Sequence, residues 1–287
     1  MMRRVSRTAF TLLATCSWAC GTAATPPANT VLVPPGPSWS GSDLDARASA
    51  VEFITTDRRA EAADALTRLG AEASPRAVTI PQFVIMSRPV TQAEYARFAQ
   101  VTGAPEPWID RTRWEDQGTG FPYAMVQRFA WIEGAPPQAR RHHPVVLVDR
   151  TDAERYCHWW GDRNGGVGRL PTEAQWNRAA RGDDGTAFPW GDAFDPTRAN
   201  TWETGVGDTV PVGASPESVS AFGVEDLAGN VFEWTRTRTD ASHSVLKGGS
   251  WSTSLVEARS SARHPAADDL RHITVGFRCV FEPRKPH

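Results

Sequence analysis

The sequence lacks a strong excess of either charge. Its 31 lysine and arginine residues are balanced by 33 aspartate and glutamate residues, and no block of five like charges occurs along its 287 residues. Proteins that bind nucleic acid or an anionic membrane surface usually carry a basic patch or run. We therefore expect no nucleic-acid partner, and no membrane contact that depends on charge.

Tyrosine, methionine and cysteine are also scarce, with 3, 4 and 4 residues, whereas tryptophan, proline and glycine number 12, 22 and 23. This composition excludes collagen-like and coiled-coil proteins and is typical of a compact, loop-rich fold whose core contains indole rings. Since 40% of the residues are hydrophobic, the chain can bury a full core. Its length allows one large domain or two smaller ones.

The apolar stretch near the N-terminus, residues 9–19, is too short to span a bilayer, which takes about 20 residues. Three arginines precede it, and a polar, proline-rich segment, residues 21–29, follows it. This order is typical of a secretory signal peptide over residues 1–20 followed by a linker, with a buried core helix as the alternative. We therefore expect an exported protein of the periplasm or cell envelope.

Cys16 and Cys20 lie at the end of this stretch, where a bacterial lipoprotein signal places its lipidated cysteine. The three residues before each cysteine resemble that signal, and each set departs from it by one residue. A lipid anchor on one of the two is therefore expected. The membrane would be reached only through that anchor.

Cys157 and Cys279 are then the two cysteines of the folded part. In an oxidising compartment they predict one disulfide that closes a loop of about 120 residues, and two unrelated buried thiols are the alternative. Neither has a nearby CxxC partner, so zinc is not expected.

Helix-capping signals occur at three threonines, each followed three residues later by a glutamate or glutamine. They predict helices over residues 92–101, 152–160 and 173–180, with N-caps at Thr91, Thr151 and Thr172. An amphipathic helix is predicted over residues 57–69, and strands are predicted over residues 31–33 and 78–86. After Gly185 turns and short strands dominate, so the fold class is α+β with much irregular structure.

Several short motifs follow one another in order between residues 30 and 281. They include PVTQAEY at 89–95, DAERYC at 152–157, RLPTEAQW at 169–176, LAGNVFEW at 227–234, GGSW at 248–251 and GFRC at 276–279. Together they resemble the sulfatase-modifying-factor, or formylglycine-generating-enzyme-like, family. The resemblance implies one C-type-lectin-like domain over residues 30–281, with residues 44–74 as an insertion of open role. It also implies a Cys157–Cys279 disulfide, because the family bridges these two motif cysteines.

Calcium is implied by the same resemblance. In the family's matching loop two side chains and two carbonyls bind the ion, which here are the Asp226 and Glu233 side chains and the Gly229 and Val231 carbonyls. Spacing alone would favour a solvated acidic turn.

A second family site would use Asn200 and the carbonyl of Thr201. The loop after them is shortened, and Asp208 is the acidic side chain that could complete that site.

Copper is not expected. Formylglycine-generating members are copper- and oxygen-dependent oxidases that use two cysteines, five residues apart, just after the Gly-Gly-Ser-aromatic motif. Thr253 and Ala258 occupy those positions, and neither supplies the thiolate that Cu(I) prefers. Thr253 is interpreted as an ordinary polar loop residue, with a residual hydroxyl in the cleft as the alternative.

The histidines at 142, 143, 158, 264 and 272 do not show helical metal-ligand spacing. The family includes the iron-dependent sulfoxide synthase of ergothioneine synthesis, whose metal comes from a His-rich helical domain, and the sequence contains no such domain. We interpret these residues as surface or core histidines. His264 and His272 are the candidates for lining a ligand groove.

Two classes of function remain. The first is a non-catalytic binding or structural module of the cell envelope that holds a peptide, a glycan or an envelope protein. The second is an oxidoreductase-type enzyme of the formylglycine-generating and pyoverdine-maturation superfamily, with an unidentified substrate. Loss of both thiols together with retention of the scaffold motifs favours the first, and no catalytic residue is assigned.

Overall fold

The computed structural model describes residues 26–284 except 57–65, 68, 71 and 119. The predicted signal peptide, Cys16, Cys20 and most of the helix predicted over residues 57–69 lie outside the described residues. The helices and strands that it describes are β1 (Thr30–Val33), β2 (Gly36–Ser40), α1 (Leu44–Thr56), β3 (Arg76–Ile80), β4 (Phe83–Met86), α2 (Gln92–Thr102), α3 (Arg111–Asp116), α4 (Arg150–Arg163), β5 (Gly166–Arg169), α5 (Glu173–Arg181), β6 (Phe232–Arg238), β7 (His243–Lys247), β8 (His264–Ala267), β9 (Val275–Gly276) and β10 (Val280–Pro283). The predicted α+β class is confirmed.

The first sheet joins the two ends of the described chain. Its strands lie in the order β1-β4-β10-β5, and every neighbouring pair is antiparallel. Apolar side chains of this sheet pack against Trp176 and Ala179 of α5. The N-terminal and C-terminal strands therefore share one core.

The single strand predicted over residues 78–86 is wrong. Two strands occupy this stretch: β3 pairs with β2 in a separate two-stranded sheet, and β4 pairs with β1 and β10. Pro81 lies between them, and it has no N–H group with which to continue a strand ladder. The chain therefore changes sheets at this proline.

The third sheet has the order β8-β7-β6-β9, in which β6 and β9 are parallel and the other pairs are antiparallel. The first four residues of β6 are buried, and Trp234 packs in the main apolar cluster with Tyr95, Tyr156 and Phe277. This sheet carries Glu233 on β6 and leads from β7 into the loop that begins at Gly248.

Two of the three capping predictions are confirmed. Thr91 with Glu94 and Thr172 with Gln175 form reciprocal capping boxes at the starts of α2 and α5. The third is wrong, because α4 begins at Arg150 with Asp149 as its N-cap, and the Asp149 carboxylate accepts a hydrogen bond from the Asp152 N–H at 2.9 Å. An aspartate at this position also complements the positive end of the helix dipole.

The predicted disulfide between Cys157 and Cys279 is confirmed. It joins α4 to the segment between β9 and β10 across 122 residues of sequence, with a Cα–Cα distance of 5.5 Å. Both cysteines are fully buried in the cluster of Tyr95, Tyr156 and Phe277. The bridge therefore fixes a helix to the central strands.

The insertion, residues 44–74, packs on the segment that follows Gly248. Ala50 and Ile54 of α1, together with Leu69, form an apolar cluster with Val256. Phe53 also lies against Phe194, with ring centroids 5.1 Å apart. The insertion therefore covers one side of the loop in which the family's thiols are expected.

No helix among the described residues is both long enough and apolar enough to cross a membrane.

Candidate functional site

The loop from Gly248 to Ala262, here called the thiol-position loop, follows β7. At one of the two positions of interest, the Thr253 hydroxyl accepts a hydrogen bond from the Ser250 N–H at 2.9 Å and lies 3.1 Å from the Ser250 carbonyl oxygen, to which it donates. The Thr253 carbonyl also accepts a hydrogen bond from the Trp202 N–H. The hydroxyl thus closes its own turn.

Ala258, at the other position, is fully buried. It packs in a cluster with Ala187, Phe188 and Leu255. Gly249 approaches it so closely that a Cβ atom there would lie 2.8 Å from the Ala258 Cβ, and Gly249 has a φ of 69°. The space that a side chain larger than alanine would need is therefore filled by core packing and backbone.

A cavity of about 530 Å³ adjoins this loop on the side of the insertion. It is lined by the end of β2, by the insertion, by the start of α5 and by the C-terminal half of the thiol-position loop with the start of β8. The lining residues are Ser40, Gly41, Leu69, Glu72, Ala73, Glu173, Val256, Glu257, Arg259, Ser261, Ala262, Arg263, His264 and Pro265.

Three pairs of opposite charge line this cavity. Arg259 contacts the Glu72 carboxylate with both terminal nitrogens, and Arg263 Nε donates to Glu173 Oε1 at 2.7 Å. In the third pair, His264 Nδ1 lies 3.4 Å from an oxygen of Glu257. The wall of this cavity is therefore polar and carries charges of both signs.

Lys247 supports the loop from beneath. This residue is fully buried, and its Nζ donates to the carbonyl oxygens of Ser260 at 2.8 Å and Ala262 at 2.6 Å. Burial lowers the pKa of Lys247 to about 8, although the carboxylate of Glu173, 3.9 Å away, favours the charged form. The ammonium also lies 5.3 Å from the ring centroid of Trp176. Lys247 therefore holds the cavity wall to the sheet.

Glu233, one of the two side chains predicted to bind calcium, lies in a buried ion pair. Its Oε1 accepts a hydrogen bond from Arg278 Nη2 at 2.7 Å. Its Oε2 accepts from Arg278 Nε at 2.8 Å and from Trp176 Nε1 at 3.0 Å. Both oxygens of this carboxylate therefore already have donors from the protein.

Asp226, the other predicted side-chain ligand, lies in a left-handed turn with a φ of 54° and is 5% exposed. Its Oδ2 accepts a hydrogen bond from the Gly213 N–H at 2.6 Å. Burial raises the pKa of Asp226 to about 6, partly opposed by this hydrogen bond and by Arg278. A carboxylate in such surroundings gains stability from a nearby cation.

The first predicted calcium loop fits the ion by donor type, since it offers two carboxylates and the Gly229 and Val231 carbonyls of a tight turn. Glu233 would have to share its carboxylate between the ion and its present donors, Arg278 and Trp176. Among the described residues, no three histidine, cysteine, aspartate or glutamate side chains converge on a point that could hold a metal. Backbone oxygens would therefore have to complete the ligand set. Calcium at this loop stays a prediction.

The second predicted calcium loop fits less well. The oxygens of Asn200 and Thr201 both accept a hydrogen bond from the Thr204 hydroxyl, at 3.4 and 2.7 Å. The Asp208 carboxylate is paired with Arg140 and Arg128, and although burial opposes ionisation, Arg140 lowers the pKa of Asp208. The guanidinium groups of Arg128 and Arg140 already neutralise this carboxylate, so it is a poor ligand for a cation.

The sulfatase-modifying factor enzyme 1-like domain family matches residues 19–283 of the sequence. The chain belongs to this family. The match spans every element and loop described above, and it confirms the assignment that the sequence motifs suggested.

Family members with curated names are similar to this chain over most of its length. Formylglycine-generating enzyme of Mycobacterium tuberculosis is 31% identical, over 76% of this chain and 93% of that protein. Inactive C-alpha-formylglycine-generating enzyme 2 of Bos taurus is 32% identical, over 75% of this chain and 82% of that protein. Hercynine oxygenase of Mycolicibacterium thermoresistibile is 30% identical, over 77% of this chain and 55% of that protein. The proteins similar to this chain thus include one that is named an oxygenase and one that is named inactive.

Two solved structures support the predicted family fold. PvdO from Pseudomonas aeruginosa superimposes with a TM-score of 0.65 and 23% identity, over 88% of this chain and 94% of that one. CarF has a TM-score of 0.58 and 19% identity, over 90% of this chain and 99% of that one. At these identities the likeness shows the fold alone, and it confirms an α+β, formylglycine-generating-enzyme-like architecture.

The two histidines that the sequence marked for a groove behave differently in this family member. His264 lines the cavity, and its ring packs on Phe232. His272 is instead buried against Trp114, with ring centroids 5.0 Å apart. Burial lowers the pKa of His272 to about 4, so the imidazole is neutral at neutral pH. Of these two histidines, His264 lies at the cavity and His272 lies in the core.

Sequence reasoning missed Glu72, Arg259 and Lys247. The signal for Lys247 was weak: this lysine directly follows the apolar pair Val245 and Leu246 at the end of β7. Glu72 and Arg259 carried no local signal, since 187 residues separate them.

Proposed function

We propose that this chain is an exported, non-catalytic binding module built on the formylglycine-generating-enzyme-like scaffold. One observation carries the proposal: Thr253 closes its own turn and Ala258 is fully buried beside Gly249. The two positions that carry the family's copper thiolates are thus part of the packed framework.

Copper chemistry of the family's kind needs two soft sulfur ligands. A threonine hydroxyl is a hard and weakly acidic group, and an alanine methyl offers no donor atom. The remaining cysteines of the described chain, Cys157 and Cys279, are bridged to each other. The relative named inactive in Bos taurus supports the idea that the scaffold persists in members without the activity.

The cavity beside the thiol-position loop is the proposed binding site. Its volume of about 530 Å³ lies in the range of small-molecule and peptide side-chain sites, and charged pairs lie along its wall. A peptide, a glycan or an envelope protein could present a polar group to it.

Export and a lipid on Cys16 or Cys20 belong to the same proposal and rest on residues 1–20. The mass of the mature N-terminus tests both. A lipid-modified cysteine supports anchoring, and an unmodified terminus beyond Cys20 means simple secretion.

We predict that the protein does not convert a sulfatase-type cysteine to formylglycine. The calcium-loaded protein, incubated with copper, oxygen and a cysteine-containing sulfatase peptide, should leave the peptide mass unchanged. An active formylglycine-generating enzyme serves as the positive control. A mass loss of about 18 Da at a rate above the no-protein control would contradict the proposal, because it would require a route to oxidation without the two thiolates.

We also propose that Asp226 and Glu233, with the Gly229 and Val231 carbonyls, hold a structural calcium ion. A ligand that binds only the folded state stabilises it, by about 2.7 kcal/mol at a free concentration 100 times its Kd. EDTA should therefore lower Tm by roughly 5–10 °C at that saturation.

Asp226→Gly should remove most of this EDTA effect, and glycine suits the left-handed backbone at this position. Glu233→Gln is a poor probe, because it would also disturb the pair with Arg278. Asp195→Asn, at a half-exposed aspartate outside this loop, is the control and should keep the full EDTA effect. The same EDTA effect in the Asp226 variant and in the parent protein would place the ion elsewhere.

An enzyme with an unidentified substrate is the second candidate. His264 and Glu257 favour it, because a histidine paired with a carboxylate at a cavity wall is a common arrangement for proton transfer. Analysis of the purified protein for transition metals distinguishes the candidates. One equivalent of iron or copper that is lost in His264→Ala would favour the enzyme.

A further inference from the structure

Arg259 is held in place before any ligand is considered. Its Nε donates to the Val256 carbonyl at 3.1 Å, and its Nη1 donates to the Ser261 hydroxyl at 3.0 Å. The side chain is 2% exposed. Arg259 lines the cavity, and its two terminal nitrogens form the planar fork that binds a carboxylate through both oxygens.

Glu72 now fills this fork. Its two carboxylate oxygens contact the two terminal nitrogens of Arg259, and Ser42 donates to one of them. Burial alone would raise the pKa of Glu72, but the Arg259 charge and the hydrogen bonds lower it below its usual range. Glu72 therefore contacts Arg259 as a carboxylate anion.

This carboxylate comes from the insertion and not from the scaffold that surrounds Arg259. Arg47 fixes the backbone at Glu72 and at the residue after it, since its Nη2 donates to the carbonyl oxygens of Glu72 at 2.7 Å and Ala73 at 2.8 Å. Glu72 thus reaches the cavity from a covering segment in the manner of a tethered ligand.

We propose that Arg259 and Ser261 form a carboxylate-binding site in this cavity, and that Glu72 occupies the site within the molecule. A ligand that carries a carboxylate would bind by replacing Glu72 on the guanidinium group. This inference names the ligand chemistry of the proposed binding function and rests on that function only for its biological meaning.

The charges around the cavity favour a ligand with a single negative charge. Glu173 is matched by Arg263 and Lys247, and Glu257 is paired with His264. Withdrawal of Glu72 would leave Arg259 as a buried cation without a counter-ion. A buried guanidinium in that state strongly favours a new carboxylate, whereas an uncharged ligand could not neutralise it.

The test uses Glu72→Ala in the full mature chain, with sodium acetate as the probe and sodium chloride at equal ionic strength as the reference. Acetate should raise Tm by several degrees in a saturable manner, because it replaces the missing carboxylate on Arg259. Acetamide, which has the same shape and no charge, should give no such rise.

Two variants make this result specific. Asp162→Ala removes the same charge from an exposed pair and leaves both Arg259 and Lys247 paired, so acetate should give no saturable rise. Glu72→Ala combined with Arg259→Met should also give none. In the parent protein the half-saturating acetate concentration should be higher by about tenfold or more, because Glu72 competes.

An acetate response that persists in the double variant, or that is absent from Glu72→Ala, would overturn the proposal and leave Glu72–Arg259 as a structural pair only. If Glu72→Ala does not fold in chloride, the yield of refolding in acetate against chloride gives the same comparison. Formylglycine production in the peptide assay would contradict the non-catalytic function without touching this site. Failure of the acetate test would leave the non-catalytic function standing.

Discussion

In the presence of EDTA, Arg278→Met should lower the free energy of unfolding by about 3–5 kcal/mol, since it leaves the carboxylate of Glu233 buried without a counter-ion. Neither side chain is more than 1% exposed. Arg278 also donates to four backbone carbonyls, those of Met86, Ser87, Glu225 and Asp226. The variant therefore removes the partner of a buried charge and takes one donor away from each of four backbone carbonyls.

Urea unfolding followed by tryptophan fluorescence measures this loss. Arg284→Met is the matched control, because Arg284 pairs with Asp162 at the surface, with side chains 60% and 64% exposed. Exposed pairs contribute about 0–1 kcal/mol. Similar losses in the two variants would mean that the buried pair does not stabilise the fold as its geometry indicates.

Removal of the disulfide should have an effect of similar size. Replacement of both Cys157 and Cys279 by alanine should lower the free energy of unfolding by about 2–5 kcal/mol, because the bridge restricts the unfolded chain over 122 residues. At roughly 2–4 °C per kcal/mol, Tm should fall by about 4–20 °C. Two alanines leave a small void, which adds to the loss.

Thermal unfolding with and without a thiol reductant separates the effect of losing the disulfide from the effect of the void. Reductant should lower Tm of the parent protein and leave the double-alanine variant unchanged. A parent protein that unfolds at the same temperature in both conditions, with both cysteines shown to be reduced by mass analysis, would contradict the prediction.

The sequence by itself determined the family, the α+β class, the disulfide and two of three helix starts. These features depend on local rules or on short motifs. A threonine followed three residues later by glutamate or glutamine satisfies the first N–H groups of a helix wherever that helix lies, so Thr91 and Thr172 were predicted correctly. The same rule failed at Thr151, since Asp149 lies two residues earlier and caps the helix first.

The residues at the two thiol positions could also be read from the sequence, because counting onward from GGSW at 248–251 leads to Thr253 and Ala258. What sequence could not show is that the Thr253 hydroxyl closes a turn on Ser250 and that Gly249 packs directly on Ala258. Those contacts depend on the path of the backbone through the whole loop.

Only the tertiary structure decided which charges meet. Glu72 and Arg259 are 187 residues apart, and Arg140 and Asp208 are 68 apart. It likewise separated His264, at the cavity, from His272, in the core. An ion pair or a pKa depends on burial and on neighbours brought together by folding, whereas a sequence records only the neighbours along the chain.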